Sequence, residues 1–231
     1  KVDTIYFGGG TPSFFGADGM AIILTTIRRN FDVDNNAEIT FEANPDSVNL
    51  RLLRRLHREG FNRISLGVQS DDDDTLYSIG RPHTYADAVE AVRLARKAGF
   101  RNLSVDLMFG LQNQTTESWI NTLGHVLELR PEHISCYGLR VEEATPLNRY
   151  YHLLEIRDDE QQADMYLKAV EVLGQHGYHQ YEIPNFAQRG KLSKHNLKYW
   201  TGKEYLGFGP QASSDFAGKR FEIVGSLREY M

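Results

Sequence analysis

Three polar side chains that each close an apolar run, one arginine and one run of glycines carry the chemistry that this sequence offers. Gly8-Gly9-Gly10-Thr11-Pro12-Ser13 comes just after Val2 to Tyr6. Glu42 follows Ile39 and Phe41, Gln69 follows Ile64 to Val68, and Asp106 follows Leu103 and Val105. Arg81 stands in Gly80-Arg81-Pro82-His83-Thr84, and a further polar end lies around Leu139 and Arg140. Carboxylates at Glu42 and Asp106 accept hydrogen bonds from an amine or from ribose hydroxyls. The Gln69 amide both donates and accepts, and the Arg81 guanidinium clamps a carboxylate. Glycines without Cβ let backbone N–H groups approach a ligand that side chains would exclude. No Gly-Lys-Ser/Thr follows them, so the run is not a Walker phosphate loop. Taken alone, each residue reads more readily as a tight turn, a loop cap or a local ion pair. Their recurrence at the ends of four consecutive apolar runs points to one shared mouth.

The elements that hold these residues read as strands alternating with helices. Val2 to Tyr6 is β-branched and aromatic, and Met20, Ile23, Leu24, Ile27 and Phe31 then recur at helical spacing. Glu38 to Glu42, Arg63 to Val68, Asn102 to Leu107 and His133 to Tyr137 read as further strands. Between them lie helical faces: Leu52, Leu53 and Leu56; Val89, Val92 and Ala95 behind a Thr84/Asp87 capping box; Trp119, Ile120, Leu123, Val126 and Leu127. A last face, with Ala163, Tyr166, Val170 and Leu173, ends at Gly177. Gly60-Phe61, Gly99-Phe100 and Gly177-Tyr178 each join a helix end to the next strand. Arg130-Pro131 stands where a fourth member of that series belongs. Five or six such units in a row predict a parallel sheet with right-handed crossovers, closed into a complete or partial (β/α) barrel. A doubly wound open sheet is the second choice.

Composition narrows the function. With 231 residues and 41% apolar content the chain can build one large α/β domain. A net charge of −5 and the lack of a basic stripe argue against a nucleic-acid surface. The acidic run Asp71 to Asp74 reads as a solvated helix start. No apolar run is long enough to span a membrane and no secretory leader is visible, so a cytoplasmic location is expected. The single cysteine, Cys136, excludes a disulfide framework, a zinc ribbon and any iron–sulfur cluster held by several cysteines of this chain. Lys1 enters a strand almost at once and the C-terminus offers no helix stop, so the chain is expected to be the interior of a longer protein.

Gly-Gly-Gly-Thr-Pro-Ser, Phe41-Glu42-Ala43-Asn44-Pro45, Ile64-Ser65-Leu66-Gly67-Val68-Gln69-Ser70, Gly80-Arg81-Pro82-His83-Thr84 and Val105-Asp106-Leu107-Met108-Phe109-Gly110-Leu111 occur in that order. Together they resemble the radical S-adenosylmethionine family of oxygen-independent coproporphyrinogen III oxidases and their heme-chaperone relatives, from residue 1 to about residue 225. The resemblance implies a partial (β/α)6 radical-SAM barrel holding S-adenosylmethionine against a [4Fe–4S] cluster. It places Gly9, Gly10 and Thr11 at the methionine end of that cofactor and Glu42, Gln69, Arg81 and Asp106 on the rest, with Asp106 suited to the ribose. It also implies that the first barrel strand and its Cys-x3-Cys-x2-Cys loop belong upstream of Lys1, so that no metal ligand is expected in this chain. The barrel portion is expected over residues 1–190, with 191–231 beginning a C-terminal extension.

The last third separates the two branches of the family. Tyr181-Glu182-Ile183-Pro184-Asn185-Phe186-Ala187 and His195-Asn196-Leu197-Lys198-Tyr199-Trp200 resemble segments of the heme chaperones. His195, Tyr199 and Trp200 can ligate iron or stack on a flat macrocycle, or they can simply close one edge of the barrel. Asp71 departs from the family's usual Phe, and Gly209-Pro210-Gln211-Ala212 varies its usual Gly-rich stretch. The function expected is a radical-SAM heme chaperone that binds heme and passes it to apoproteins. The alternatives are oxidative decarboxylation of two propionates of coproporphyrinogen III, and a barrel that binds only a phosphate-bearing ligand at the glycines.

Overall fold

Alternation within the strands decides the architecture. The computed structural model describes residues 1–140 and 158–231. In β1 (Val2–Phe7), β2 (Val33–Ala43), β3 (Arg63–Gln69), β4 (Leu103–Phe109) and β5 (His133–Gly138), alternate residues are apolar. Among them Ile5, Phe41, Leu66, Val105 and Cys136 join one core with the flanking helices. The five strands pair in parallel in chain order and the sheet curls into a half-barrel. Parallel neighbours need crossovers, and α1 (Gly16–Asn30), α2 (Leu50–Glu59), α3 (Asp73–Ser78) with α4 (Tyr85–Ala98), and α5 (Thr116–Glu128) supply them.

The chain beyond β5 does not continue this pattern. After α6 (Asp159–Gln175), the two-residue β6 (His179–Gln180) and β7 (Asn185–Ala187) form an antiparallel pair, and β7 lies antiparallel to β5. A tight return through Tyr181–Pro184 reverses the chain: the Tyr181 N–H reaches the Asn185 carbonyl at 3.1 Å, and Cys136 N–H donates to the Pro184 carbonyl at 2.7 Å.

The helix–strand joints behave as their sequences predict. Gly60, Gly99 and Gly177 have φ of 103°, 112° and 81°. The N–H of the aromatic after each bonds five residues back, to Leu56, Ala95 and Leu173 at 3.0–3.1 Å, and all three rings are buried. Arg130 takes the same left-handed conformation without glycine, at φ 50°. Thr84 and Asp87 form the expected capping box.

Some faces are rotated from their expected positions. Ala88, Ala91, Val92 and Ala95 form the buried face of α4, while Val89 is exposed. In α6 Met165, Ala169 and Leu173 face inward and Ala163 does not. The acidic run is only partly a solvated helix start. Asp72 caps α3 by accepting from Thr75 N–H at 2.7 Å, but Asp71 turns inward to the Thr122 hydroxyl and to His125 Nδ1, the latter at 2.5 Å.

The chain divides into two compact units, Lys1–Leu192 and Ser193–Met231. The second contains α7 (Lys194–Thr201), the antiparallel pair β8 (Ser213–Phe216) and β9 (Lys219–Glu222), and the short α8 (Leu227–Tyr230). Ser193 caps α7, and buried Ser214 accepts from Gly207 N–H at 3.0 Å. No helix among the described residues is long and apolar enough to cross a membrane.

Candidate functional site

The residues opposite the core on each strand are polar, and many of them are buried. Thr40, Arg63, Ser65, Ser104, His133 and Ser135 are each at most 3% exposed. Buried polar groups cost stability unless they are paired, so a polar barrel interior marks a place where function outweighs packing.

Glu42 sits at the end of β2. Tyr6 donates its hydroxyl to Oε1 at 2.7 Å, and Gly9 N–H reaches Oε2 at 3.2 Å. Burial pushes this carboxyl above the ordinary range, with nearby Asp106 adding to the rise against the Tyr6 hydrogen bond. Gly8 has to be glycine, because a Cβ there would lie 2.7 Å from the Tyr6 ring and 3.0 Å from both Glu42 oxygens. Gly9 has φ 102°, and beside both Gly9 and Gly10 the space a Cβ would take is open. The Gly9 N–H is turned toward a carboxylate, so the loop is a poor nest for a phosphate.

Asp106 lies opposite Gly67 in the β3–β4 register. Ser65 donates to its two oxygens at 3.1 and 2.9 Å, Ser104 to Oδ1 at 3.3 Å, and Ser135 adds a third hydroxyl. Burial raises this carboxyl too, and the three hydroxyls oppose the rise. A Cβ on Gly67 would come 2.9 Å from Gln69 Nε2 and 3.2 Å from Asn44 Oδ1, so both amides flank this glycine. Gln69 is held at φ 70°, with Ser70 N–H bonded back to the Val68 carbonyl at 2.9 Å. That tight reversal is an unfavourable one for a non-glycine residue. It turns a buried amide, without a hydrogen-bond partner among the described residues, toward the mouth.

Arg81 Nη1 donates to Asn44 Oδ1 at 3.3 Å, and Asn44 Nδ2 donates to Thr11 Oγ1 at 3.1 Å. The seven residues singled out from the sequence in this unit are therefore brought to one end of the half-barrel. Asn44 ties two of them, Thr11 and Arg81, together, although its motif was legible and its role was not. Arg63, Ser65, Ser104, His133 and Tyr181 were also missed. In sequence their alternation with apolar neighbours is the same as that of a strand facing water.

His195, Tyr199 and Trp200 lie in the second unit, on α7. His195 Nε2 and the Tyr199 hydroxyl are 3.0 Å apart with rings at 90°, Tyr199 meets Tyr205 edge-on at 4.7 Å, and Trp200 is exposed. Tyr181 and Glu182 belong to the first unit. Two surface grooves, of about 460 Å³ beside Arg28 and Asp34 and about 520 Å³ beside Asp71 and His125, are lined by none of those seven residues.

The donor set tests what this mouth can hold. Two carboxylates, an unpartnered amide, a guanidinium and an open glycine turn match a ligand that carries an amino acid at one end and a diol at the other, as S-adenosylmethionine does. The chain does not fit a [4Fe–4S] cluster. Its one thiol, Cys136, is packed in the core and raised by burial, and no group of His, Cys, Asp and Glu among the described residues is arranged for a metal ion.

Comparison with known proteins agrees with that geometry. A family model described as the Radical SAM superfamily matches residues 1–126. The heme chaperone HemW of Lactococcus lactis is 38% identical over 233 residues, covering 100% of this chain and 62% of that protein. HemW of Bacillus subtilis is 39% identical over 234 residues, covering 99% and 61%. Coproporphyrinogen III oxidase (HemN) from Escherichia coli, a radical SAM enzyme of known structure, matches with a TM-score of 0.83 at 25% identity, over 98% of this chain and 55% of that one. The chain thus spans about three fifths of the length of the curated relatives it matches. With the family model covering more than half of its residues and the strand-end residues meeting at one mouth, the chain belongs to the radical SAM superfamily.

Proposed function

We propose that this chain forms the S-adenosylmethionine-binding barrel portion of a cytoplasmic heme chaperone, which binds heme and hands it to apoproteins. The observation that carries the cofactor half is the unpartnered Gln69 amide, which a left-handed backbone turn sets beside Asn44 and against Gly67, the residue opposite Asp106. In this reading Gly9, Gly10 and Thr11 meet the amino-acid end, with Glu42 accepting from the ligand's amine. Arg81 clamps its carboxylate, Asp106 accepts from the ribose hydroxyls, and Gln69 serves whichever polar edge lies between. Bound beside a reduced iron–sulfur cluster, S-adenosylmethionine supplies one-electron chemistry; the cluster's thiolates have to come from outside these 231 residues. This chain's share is to bind, to orient and to exclude water.

The test is calorimetry on the full-length protein. Glu42→Ala and Asp106→Ala should each weaken S-adenosylmethionine binding by about 1–3 kcal/mol, the range for removing one partner of a charged hydrogen bond. Wild-type affinity in both variants would remove these residues from the site.

The heme half rests on similarity to two HemW proteins and on the His195, Tyr199 and Trp200 segment. The second reading, porphyrinogen decarboxylation, is favoured by the structural match to HemN. Full-length protein given cluster, reductant, S-adenosylmethionine and coproporphyrinogen III separates them. The chaperone reading expects stoichiometric heme binding without decarboxylated product.

A further inference from the structure

A continuous line of hydrogen bonds runs from Asp106 along the polar face toward the β6–β7 edge of the sheet. Ser104 Oγ lies 3.3 Å from Asp106 Oδ1 and 2.8 Å from His133 Nδ1, and His133 Nε2 lies 2.7 Å from the Tyr181 hydroxyl. Ser104 and His133 are fully buried. The His133 and Tyr181 rings meet at 5.6 Å and 62°.

The protons along this line are not independent. Ser104 has one hydroxyl proton. When that proton goes to Asp106, the Ser104 oxygen is left to accept, so His133 has to carry its proton on Nδ1. His133 Nε2 is then an acceptor, and the Tyr181 hydroxyl donates to it. In the opposite polarity Ser104 donates to His133 and Asp106 loses a hydrogen bond. Which tautomer His133 holds therefore decides whether Asp106 is bonded from this side.

We propose that His133 and Tyr181 are positioning residues which, through Ser104, hold Asp106 as an acceptor-only carboxylate turned to the ribose hydroxyls of the bound ligand. The proposal rests on the S-adenosylmethionine reading above. His133 is suited to the task because burial and the Arg63 guanidinium keep its imidazole neutral, its pKa well below the usual histidine value. A neutral ring has one donor and one acceptor, as a polarised line requires. Several groups act electrostatically on Asp106 or are acted on by it: Tyr6 from β1, Glu42 from β2, Arg63 from β3, Cys136 and Tyr137 from β5, and Arg81 beyond α3. None of them can replace the directional bond from Ser104.

The experiment uses full-length protein with S-adenosylmethionine as the probe, measuring affinity against pH. It also follows the Asp106 carboxyl by carbon-13 NMR in ligand-free protein. Tyr181→Phe removes the donor that selects the tautomer, so the Asp106 titration and the acid limb of binding should both move up by about one pH unit. That shift corresponds to a loss of affinity that approaches about tenfold below the wild-type midpoint and fades above the shifted one. His133→Ala should do the same. His133→Asn, whose side-chain N–H can still donate to Ser104, should restore most of the wild-type profile. Unchanged profiles in Tyr181→Phe would overturn the proposal, as would a His133→Asn variant no better than alanine. Should His133→Ala fail to fold, Tyr181→Phe decides, since it deletes a single oxygen at the edge of the sheet. Asp106→Asn that binds S-adenosylmethionine as wild type does would sink the ligand reading alone. The carboxyl titration in ligand-free protein would still decide the role of His133 and Tyr181.

Discussion

Glu42 and Asp106 are stored at a cost to the fold. Both carboxyls are raised by burial, so between the ordinary carboxylate pKa of about 4 and the raised folded value the native chain binds more protons than the unfolded one. Stability then falls as pH rises through that window and levels off above it. Glu42→Gln cannot titrate there. The melting temperature of ligand-free wild type, relative to Glu42→Gln, should therefore decline as pH rises above about 4 and then level off, measured by calorimetric scans at several pH values. A difference that rises with pH would mean that Glu42 is held below its ordinary value. Saturating S-adenosylmethionine should reverse the decline if its amine pairs with this carboxylate. These two acids were legible in the sequence because each closes an apolar run. The buried hydroxyls, Arg63 and His133 beneath them were not. Alternation of period two reports that two faces differ and leaves open whether the polar one meets water or a barrel interior.

At the scale of elements, the repeated helix–strand joint gives a paired prediction. Gly99 is left-handed, and a Cβ there would also press to 2.9 Å from the His57 ring, which stands edge-on to Phe100. Gly99→Ala should destabilise the barrel unit by about 1–2 kcal/mol from the conformational cost alone, read as a shift in urea midpoint. Arg130→Gly should act in the opposite direction. It relieves the same conformation at φ 50° while keeping the backbone carbonyl that accepts from Arg96 Nη2 at 2.8 Å. A gain of up to about 1 kcal/mol is expected, and a loss would show that the Arg130 side chain outweighs its backbone. These joints were readable because a glycine followed by an aromatic states both the turn and the packing. The antiparallel return at β6 and β7 was harder to read. Two- and three-residue strands carry no period, and the reversal is set by pairing of the backbone with β5 rather than by local preference.

The molecule as a whole poses the heme question, and the second unit frames it through one hydrogen bond. His195 Nε2 lies 3.0 Å from the Tyr199 hydroxyl. An imidazole that binds iron through Nε2 has to offer that lone pair to the metal, so this bond has to break first. If His195 is the heme ligand, His195→Ala in the full-length protein should lose or shift the heme absorption bands with unchanged thermal stability. Tyr199→Phe should keep those bands and bind heme at least as tightly, because this bond no longer has to break. If the pair instead only shapes a wall, the two variants should weaken heme alike and leave its ligand-sensitive bands in place. Absorption spectra of the two variants at matched heme saturation separate the cases. Bands unchanged in His195→Ala would return this histidine to a structural role on α7 and leave the barrel mouth as the part of the chain with assigned chemistry.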